Sequence, residues 1–229
     1  FWMWLISLIG SASAFIESTL AQIYKEKDGD SFKGGPAYYM EKGLKKRWLG
    51  ILFSVLIIIS FGFAFNSVQS NTIANAFSSA FNIDVKITGV ILTTFTLVII
   101  FGGVHRIAKI TGFIVPVMAV AYLLLAAFIV CKNITELPSV IRMIFTNAFG
   151  FEQFLGGTLG AALLQGIKRG LFSNEAGMGS APNAAAVASV SHPVKQGFIQ
   201  TLGVFTDTLI ICTSTALIIL VSGAPLDGS

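Results

Sequence analysis

Asn174 and Glu175 lie in the run Gly170-Leu171-Phe172-Ser173-Asn174-Glu175-Ala176-Gly177-Met178-Gly179-Ser180-Ala181-Pro182, between segments that are strongly apolar. An amide and a carboxylate are costly in hydrocarbon unless they face a partner or a cavity. Three glycines and a proline loosen the helix that would otherwise carry them. Open backbone at membrane depth is tolerated only where it is buried in protein or lines a pathway, as in the discontinuous helices of transporters. A small ligand is expected to bind here.

The elements that must position this run are read from composition. Apolar residues make up 54% of the chain and charged residues 11%, and the mean hydropathy is +0.80. These values lie far from those of a soluble domain. At roughly 20 residues per spanning helix, six segments qualify: Phe1–Ile23, Leu49–Ala80, Ile87–Gly103, Phe113–Cys131, Phe151–Ala188 with a break near 171–179, and Phe198–Ser222. Runs such as Ile51–Ile59 and Leu209–Val221 lack the polar face that a soluble helix keeps. An all-α polytopic membrane protein with a single membrane domain is therefore expected. Phe1 opens inside an apolar run with no initiator Met, polar leader or signal peptide, so the chain reads as an internal piece of a longer protein.

Lysine and arginine set the orientation. Residues 24–48 hold Lys25, Lys27, Lys33, Lys42, Lys45, Lys46 and Arg47, which places this loop in the cytoplasm. A second cytoplasmic loop is expected around His105, Arg106 and Lys109, and a third at Ser189–Gln196. Lys168 and Arg169 are the exception to the pattern and suggest a wet vestibule or a protein partner. The net charge of +4 thus reflects topology, and nothing favours a nucleic-acid role. Gly34-Gly35-Pro36 should open a short surface helix over Ala37–Leu44. Cys131 and Cys212 read as small apolar packing groups, and His105 and His192 have no metal-ligand spacing.

Polar side chains within the spans carry the function. Gly62, Asn66, Gln69 and Ile73 share one helical face, so two amides project beside a glycine gap. Interhelical hydrogen bonding and ligand binding both fit Asn66; Gln69, a long amide beside a cavity, reads as a ligand-binding group. Glu17, near a span end with Ser18, Thr19 and Gln22, reads as a structural or snorkelling carboxylate. Asp207 stands near mid-span among Thr206, Thr208, Thr213 and Ser214. Two readings stand for it: a buried aspartate paired with a cation such as Lys168 or Arg169, or a carboxylate that holds a monovalent cation with hydroxyl oxygens.

Four stretches resemble the alanine/glycine:cation symporter family of the amino acid-polyamine-organocation superfamily: GGPAYYMEKGL at Gly34–Leu44, VQSNTIA at Val68–Ala74, GIKRGLFSNEAGMGSAP at Gly166–Pro182, and HPVKQGFIQTLGVFTDTLIICTSTAL at His192–Leu217. The resemblance runs through most of the chain. It implies symport of a small neutral amino acid, alanine or glycine, with sodium, or with a proton in the same superfamily, across a prokaryotic cell membrane. It also implies a LeuT-type five-plus-five inverted repeat, with Phe1–Ile23 as core helix two and Phe198–Ser222 as core helix seven. Helix six would be discontinuous, and core helices one and eight onward would lie outside the chain. On that map Phe172 resembles an aromatic gate, and Ser173, Asn174 and Gly177 the unwound backbone around the substrate. Gln69 resembles a polar wall of the site. Asp207 and Thr208 would be placed to hold sodium. Two rivals from other classes, an intramembrane enzyme and a channel, lack respectively a catalytic pair with recognisable spacing and repeated polar pore stripes.

The loop assignment is directly testable in the full-length protein. A cysteine at Ser31 should resist an impermeant thiol reagent in intact cells and react once the cells are opened. Reaction from outside would reverse every orientation above.

Overall fold

The computed structural model describes residues 1–29, 31–149 and 158–222. The helices are α1 (Trp2–Ile23), α2 (Pro36–Lys42), α3 (Arg47–Ile59), α4 (Asn66–Phe81), α5 (Val85–Ile100), α6 (Gly103–Lys132), α7 (Leu137–Phe149), α8 (Thr158–Asn174), α9 (Ala181–Val187), α10 (Pro193–Phe205) and α11 (Thr213–Val221). A short antiparallel hairpin, β1 (Glu26–Asp28) and β2 (Ser31–Lys33), pairs Glu26 with Lys33 and Lys27 with Phe32. Two wide π-helical turns, Ser60–Phe65 and Thr206–Cys212, join α3 to α4 and α10 to α11 without interrupting either long helix.

Among the described residues, four helices are long and apolar enough to cross a membrane: Trp2–Ile23, Arg47–Phe81, Gly103–Lys132 and Pro193–Val221. The span expected at Ile87–Gly103 is α5, whose 16 residues reach only about 24 Å at 1.5 Å per residue. The one expected at Phe151–Ala188 divides into α8 and α9, and its first residues, 151–157, lie outside those described. The expected loop around His105, Arg106 and Lys109 is instead the opening of α6. Gly103, at φ +74, turns the chain directly out of α5. Those charges therefore ride on helical turns, from which long side chains can reach a polar boundary.

The chain divides into two compact units, one of Phe1–Ile51 with Tyr122–Ser229 and one of Leu52–Ala121. In the second, α4 packs on α5. Asn82 stops α4 in a left-handed conformation, and the Asp84 carboxylate then caps α5 by accepting from the Lys86 N–H at 2.7 Å.

In the first unit α1 is central. Its buried residues are Ser7, Gly10, Ser11, Ala14, Ser18, Ala21 and Gln22, a helical stripe of mostly small side chains. α10, α8 and α9 pack onto α1. Glycines on the partners complete the close approach. A β-carbon at Gly166 of α8 would lie 2.6 Å from Trp2 Cβ, and one at Gly197 of α10 would lie 2.8 Å from the Phe15 ring. Small residues on both sides let helix backbones meet where lipid gives no hydrophobic drive for association. At the Phe1 end of α1, the aromatic rings of Phe1, Trp2 and Trp4 meet Phe145 and Phe149 of α7, with Phe1 edge-on to Phe149 at 4.7 Å.

Gly197 supplies a sharp test of this packing. Gly197→Val should destabilise the unit by about 1–3 kcal/mol through overpacking, whereas Gly203→Val on the same helix, where nothing lies within 4 Å, should be nearly neutral. Thermal unfolding of the detergent-solubilised protein reads the difference.

Candidate functional site

The expected break is present, but shifted along the chain. Leu171, Phe172, Ser173 and Asn174 are the last turn of α8, and the non-helical segment is 175–180. Gly170 does not loosen the helix: it is the contact point at which α8 presses on Ile6 of α1. The backbone departs from helix at Glu175 (φ 52), Gly177 (φ 81) and Gly179 (φ 77), all in the left-handed region. Pro182 then lies in the first turn of α9, where a missing N–H costs nothing. Of the residues expected to form unwound backbone, Gly177 lies in the break, whereas Ser173 and Asn174 remain helical. Phe172 is helical and 46% exposed.

Ser173 and Asn174 both point their side chains at the wide turn between α10 and α11. The Ser173 hydroxyl donates to Asp207 Oδ2 at 2.5 Å and lies 3.0 Å from Cys212 Sγ. The Asn174 amide donates to Thr208 Oγ1 at 3.1 Å, and its carbonyl accepts from the Ala176 N–H at 3.1 Å. Thr208 is completely buried. Four of the expected site residues, Ser173, Asn174, Asp207 and Thr208, thus form one cluster, with Gly177 three residues beyond Asn174 in the chain. Among the described residues no lysine or arginine pairs with Asp207, so of its two readings the ion-paired one is not seen. Its partners are a hydroxyl and the Cys212 thiol at 3.9 Å.

A π turn bonds each N–H to the carbonyl five residues back, widening the helix and freeing backbone oxygens. Here the Thr208 carbonyl accepts from the Thr213 hydroxyl at 3.3 Å, and that hydroxyl in turn accepts from the Trp4 indole N–H at 2.7 Å. The Asp207 carboxylate and the Ser173 and Thr208 hydroxyls are hard oxygen groups of the kind that bind small cations or exchange a proton, whereas Asn174 turns its amide nitrogen, a donor, to the cluster.

Glu17, read from sequence as a structural carboxylate, reaches the break itself. Its Oε2 accepts from the Gly177 N–H at 3.3 Å. Within the break, the Ser180 hydroxyl donates to the Glu175 carboxylate, and the Asn183 amide of α9 donates to the Gly179 carbonyl at 2.8 Å. Successive amides around left-handed residues form a natural cradle for an anion, and a protein carboxylate takes part of it. A signal for this role was available: Glu17 flanks Ser18 and Ala14 on the helix whose small-residue stripe must meet a glycine-rich partner. Cys212, read as apolar packing, instead touches Ser173.

In the second compact unit, Asn66 and Gln69 line an open groove of about 380 Å³ between α4 and α5, with Ser67, Ser70, Ile73, Thr93 and Thr96. The Asn66 amide donates to the Gly62 carbonyl at 3.3 Å. The wide turn Ser60–Phe65 directly precedes Asn66, so Asn66 in this unit, like Asp207 and Thr208 in the other, lies in or beside a π turn.

A sequence model of the sodium:alanine symporter family matches residues 1–228. The chain belongs to that family. Its relatives include the probable sodium/glutamine symporter GlnT of Bacillus subtilis, 65% identical over 98% of this chain and 47% of the relative. The amino-acid carrier protein AlsT of the same organism is 60% identical over 96% of this chain and 47% of the relative. The sodium/alanine symporter AgcS of Methanococcus maripaludis is 42% identical over 97% of this chain and 50% of the relative. The chain spans about half the length of the curated relatives it matches. The sodium:alanine symporter family is a family of transporters, not of enzymes.

Tyr39 of α2 senses Glu17. Burial and the Glu17 carboxylate push its phenol up to about 12, above the usual value of about 10. The folded state therefore holds this proton more tightly than the unfolded one. The stability so gained is complete below about pH 10 and is lost as pH rises through about 12. Phenolate absorbance should show a late-titrating step that is absent in Tyr39→Phe, and that variant should lose less stability across this window.

Proposed function

We propose that this chain is part of a secondary transporter that carries a small neutral amino acid together with sodium by alternating access. The observation that carries the reading is the family match over residues 1–228. The broken helix α8–α9 and its polar links to the wide turn 206–212 support it, because half-helix ends and freed carbonyls suit a zwitterion and a cation. The proposed architecture is the LeuT-type repeat, with α1 as core helix two, α8–α9 as the discontinuous helix six and α10–α11 as helix seven, in a multi-pass protein of the cell membrane.

On this reading the substrate lies against the break. Phe172 covers it, and Ser173, Asn174 and Gly177 border it, while Gln69 and Asn66 are proposed separately as ligand-binding amides on the polar face of α4. Sodium is the second cargo, drawn to the Asp207 carboxylate and the Thr208 hydroxyl. Coupling requires only that both cargoes stabilise the same closed state. A proton on Asp207 is the alternative driving ion. Alanine or glycine is the substrate expected from the sequence. Glutamine is a second reading, because the relative named for sodium and glutamine is 65% identical while the one named sodium/alanine symporter is 42% identical. An intramembrane enzyme would make product without flux, and a channel would pass ions without substrate.

Asp207→Asn in the full-length protein tests the ion role cleanly, since an amide oxygen still accepts from Ser173 while the charge is gone. Half-saturating sodium for uptake should rise about tenfold or more, within the usual range of coupling energies, with thermal stability near wild type. An unchanged sodium curve at fixed pH, together with an unchanged pH curve at fixed sodium, would leave Asp207 a helix tie. Competition of labelled alanine uptake by unlabelled glycine and glutamine then ranks the substrates.

A further inference from the structure

The two halves of the broken helix are anchored to different parts of the molecule. α8 is tied through Ser173 and Asn174 to the wide turn, as described above. α9 is held from the other side, by the end of α1 and the hairpin that follows it. Its seven residues are too few for a helix to persist unaided, and it closes on one long bond, from the Ala188 N–H to the Ala185 carbonyl at 3.3 Å. Gln22 reinforces this end: its buried amide donates to the Ala185 carbonyl at 2.5 Å and to the Ala188 carbonyl at 2.8 Å. Lys25 adds a third bond, from Nζ to the Ala188 carbonyl at 2.9 Å, and a fourth to Gln22 Oε1 at 2.7 Å. A cation at a helix C-terminus also meets the negative end of its dipole.

The hairpin locks this arrangement. Lys25 Nζ lies 3.9 Å from the centroid of the Phe32 ring on β2, a cation–π contact that fixes the ammonium from its other side. Past β2 the backbone presses on α9. A β-carbon at Gly34 would lie 2.8 Å from Ala186 Cβ, and Gly35, at φ +123, stands against Asn183. Ala185 and Ala186 are wholly buried in consequence.

We infer that Gln22 and Lys25 are positioning residues that clamp α9 to the end of α1 and the β1–β2 hairpin, and so set how readily the inner half of the broken helix swings about the glycine break at Gly177 and Gly179. The clamp touches neither cargo and acts only through α9. Its influence on transport rests on the symport reading, but its existence does not.

Hydrogen exchange on the purified full-length protein tests the clamp, with Lys25→Met as the variant and Lys25→Arg as the conservative control. Amides of 177–188 should exchange about tenfold faster or more in Lys25→Met, the factor expected for a lost charge-assisted hydrogen bond, with α8 and α10 unchanged. Lys25→Arg should restore protection. In proteoliposomes the same Lys25→Met protein should shift the half-saturating amino-acid concentration several-fold, with rescue by arginine. Unchanged exchange over 177–188 overturns the proposal. So does a uniform rise across α1, α8 and α10, which would make Lys25 a general stability element. If wild-type vesicles take up none of the amino acids offered, the symport reading fails on its own, and the exchange result still decides the clamp.

Discussion

Close backbone approach along one face of α1 is the constraint on which the first compact unit rests. Serine, alanine and glycine at its buried positions let three other helical segments lie against a single helix, and glycines on α8 and α10 meet them. Nothing larger fits at those crossings. The large apolar side chains correspondingly turn outward: Ile9, Ile16, Phe198 and Leu202 are all more than half exposed. This inverts the usual pattern of a soluble core, and it is what a helix bundle surrounded by hydrocarbon or by other apolar helices should do. It also brings Glu17 and Gln22 of α1, and Lys25 just past its end, within reach of the broken helix, because side chains this closely packed span the gap to a neighbour's backbone.

The break shows how short polar bonds can replace a missing helical ladder. Around 175–180 each exposed backbone group with a described partner is met locally or by α1: Gly177 by Glu17, Gly179 by Asn183, Ala176 by Asn174. Such satisfaction is what makes non-helical chain tolerable in a dry environment. The result is a segment fixed by many weak links rather than by burial of bulk, and segments of that kind open at low cost.

Much of this was legible in the sequence, and the gaps have physical causes. The Gly/Pro-rich run announced a break because no helix tolerates left-handed backbone at several neighbouring residues. Its start was misplaced because glycine has two uses, and Gly170 serves close packing rather than unwinding. The charges at 105–109 suggested a loop, although lysine and arginine stems let them ride on a helix end. Asn174 and Asp207 stand out by the cost of polarity in apolar surroundings, Thr208 as a hydroxyl beside Asp207, and Ser173 through the family resemblance. Their hydrogen-bonded pairing depends on how two distant segments dock, which no local pattern encodes. The wide turns were invisible for a similar reason: Thr206–Cys212 has no proline or glycine, and threonine-rich sequence fits an ordinary helix equally well.

The wide turn at 206–212 has a consequence for how this protein can vary. A π turn holds one residue more than the α-helical turn it replaces while covering about the same rotation. Removing one residue there would restore an ordinary helical turn and leave everything beyond it on nearly the same face. Thr213 would stay by the Trp4 indole, and Thr215 by the Tyr122 hydroxyl it meets at 2.5 Å. The extra residue is therefore a local one, and a one-residue deletion confined to Thr206–Cys212 should rearrange the groups around Asp207 and Thr208 while sparing the contacts of the helix beyond them.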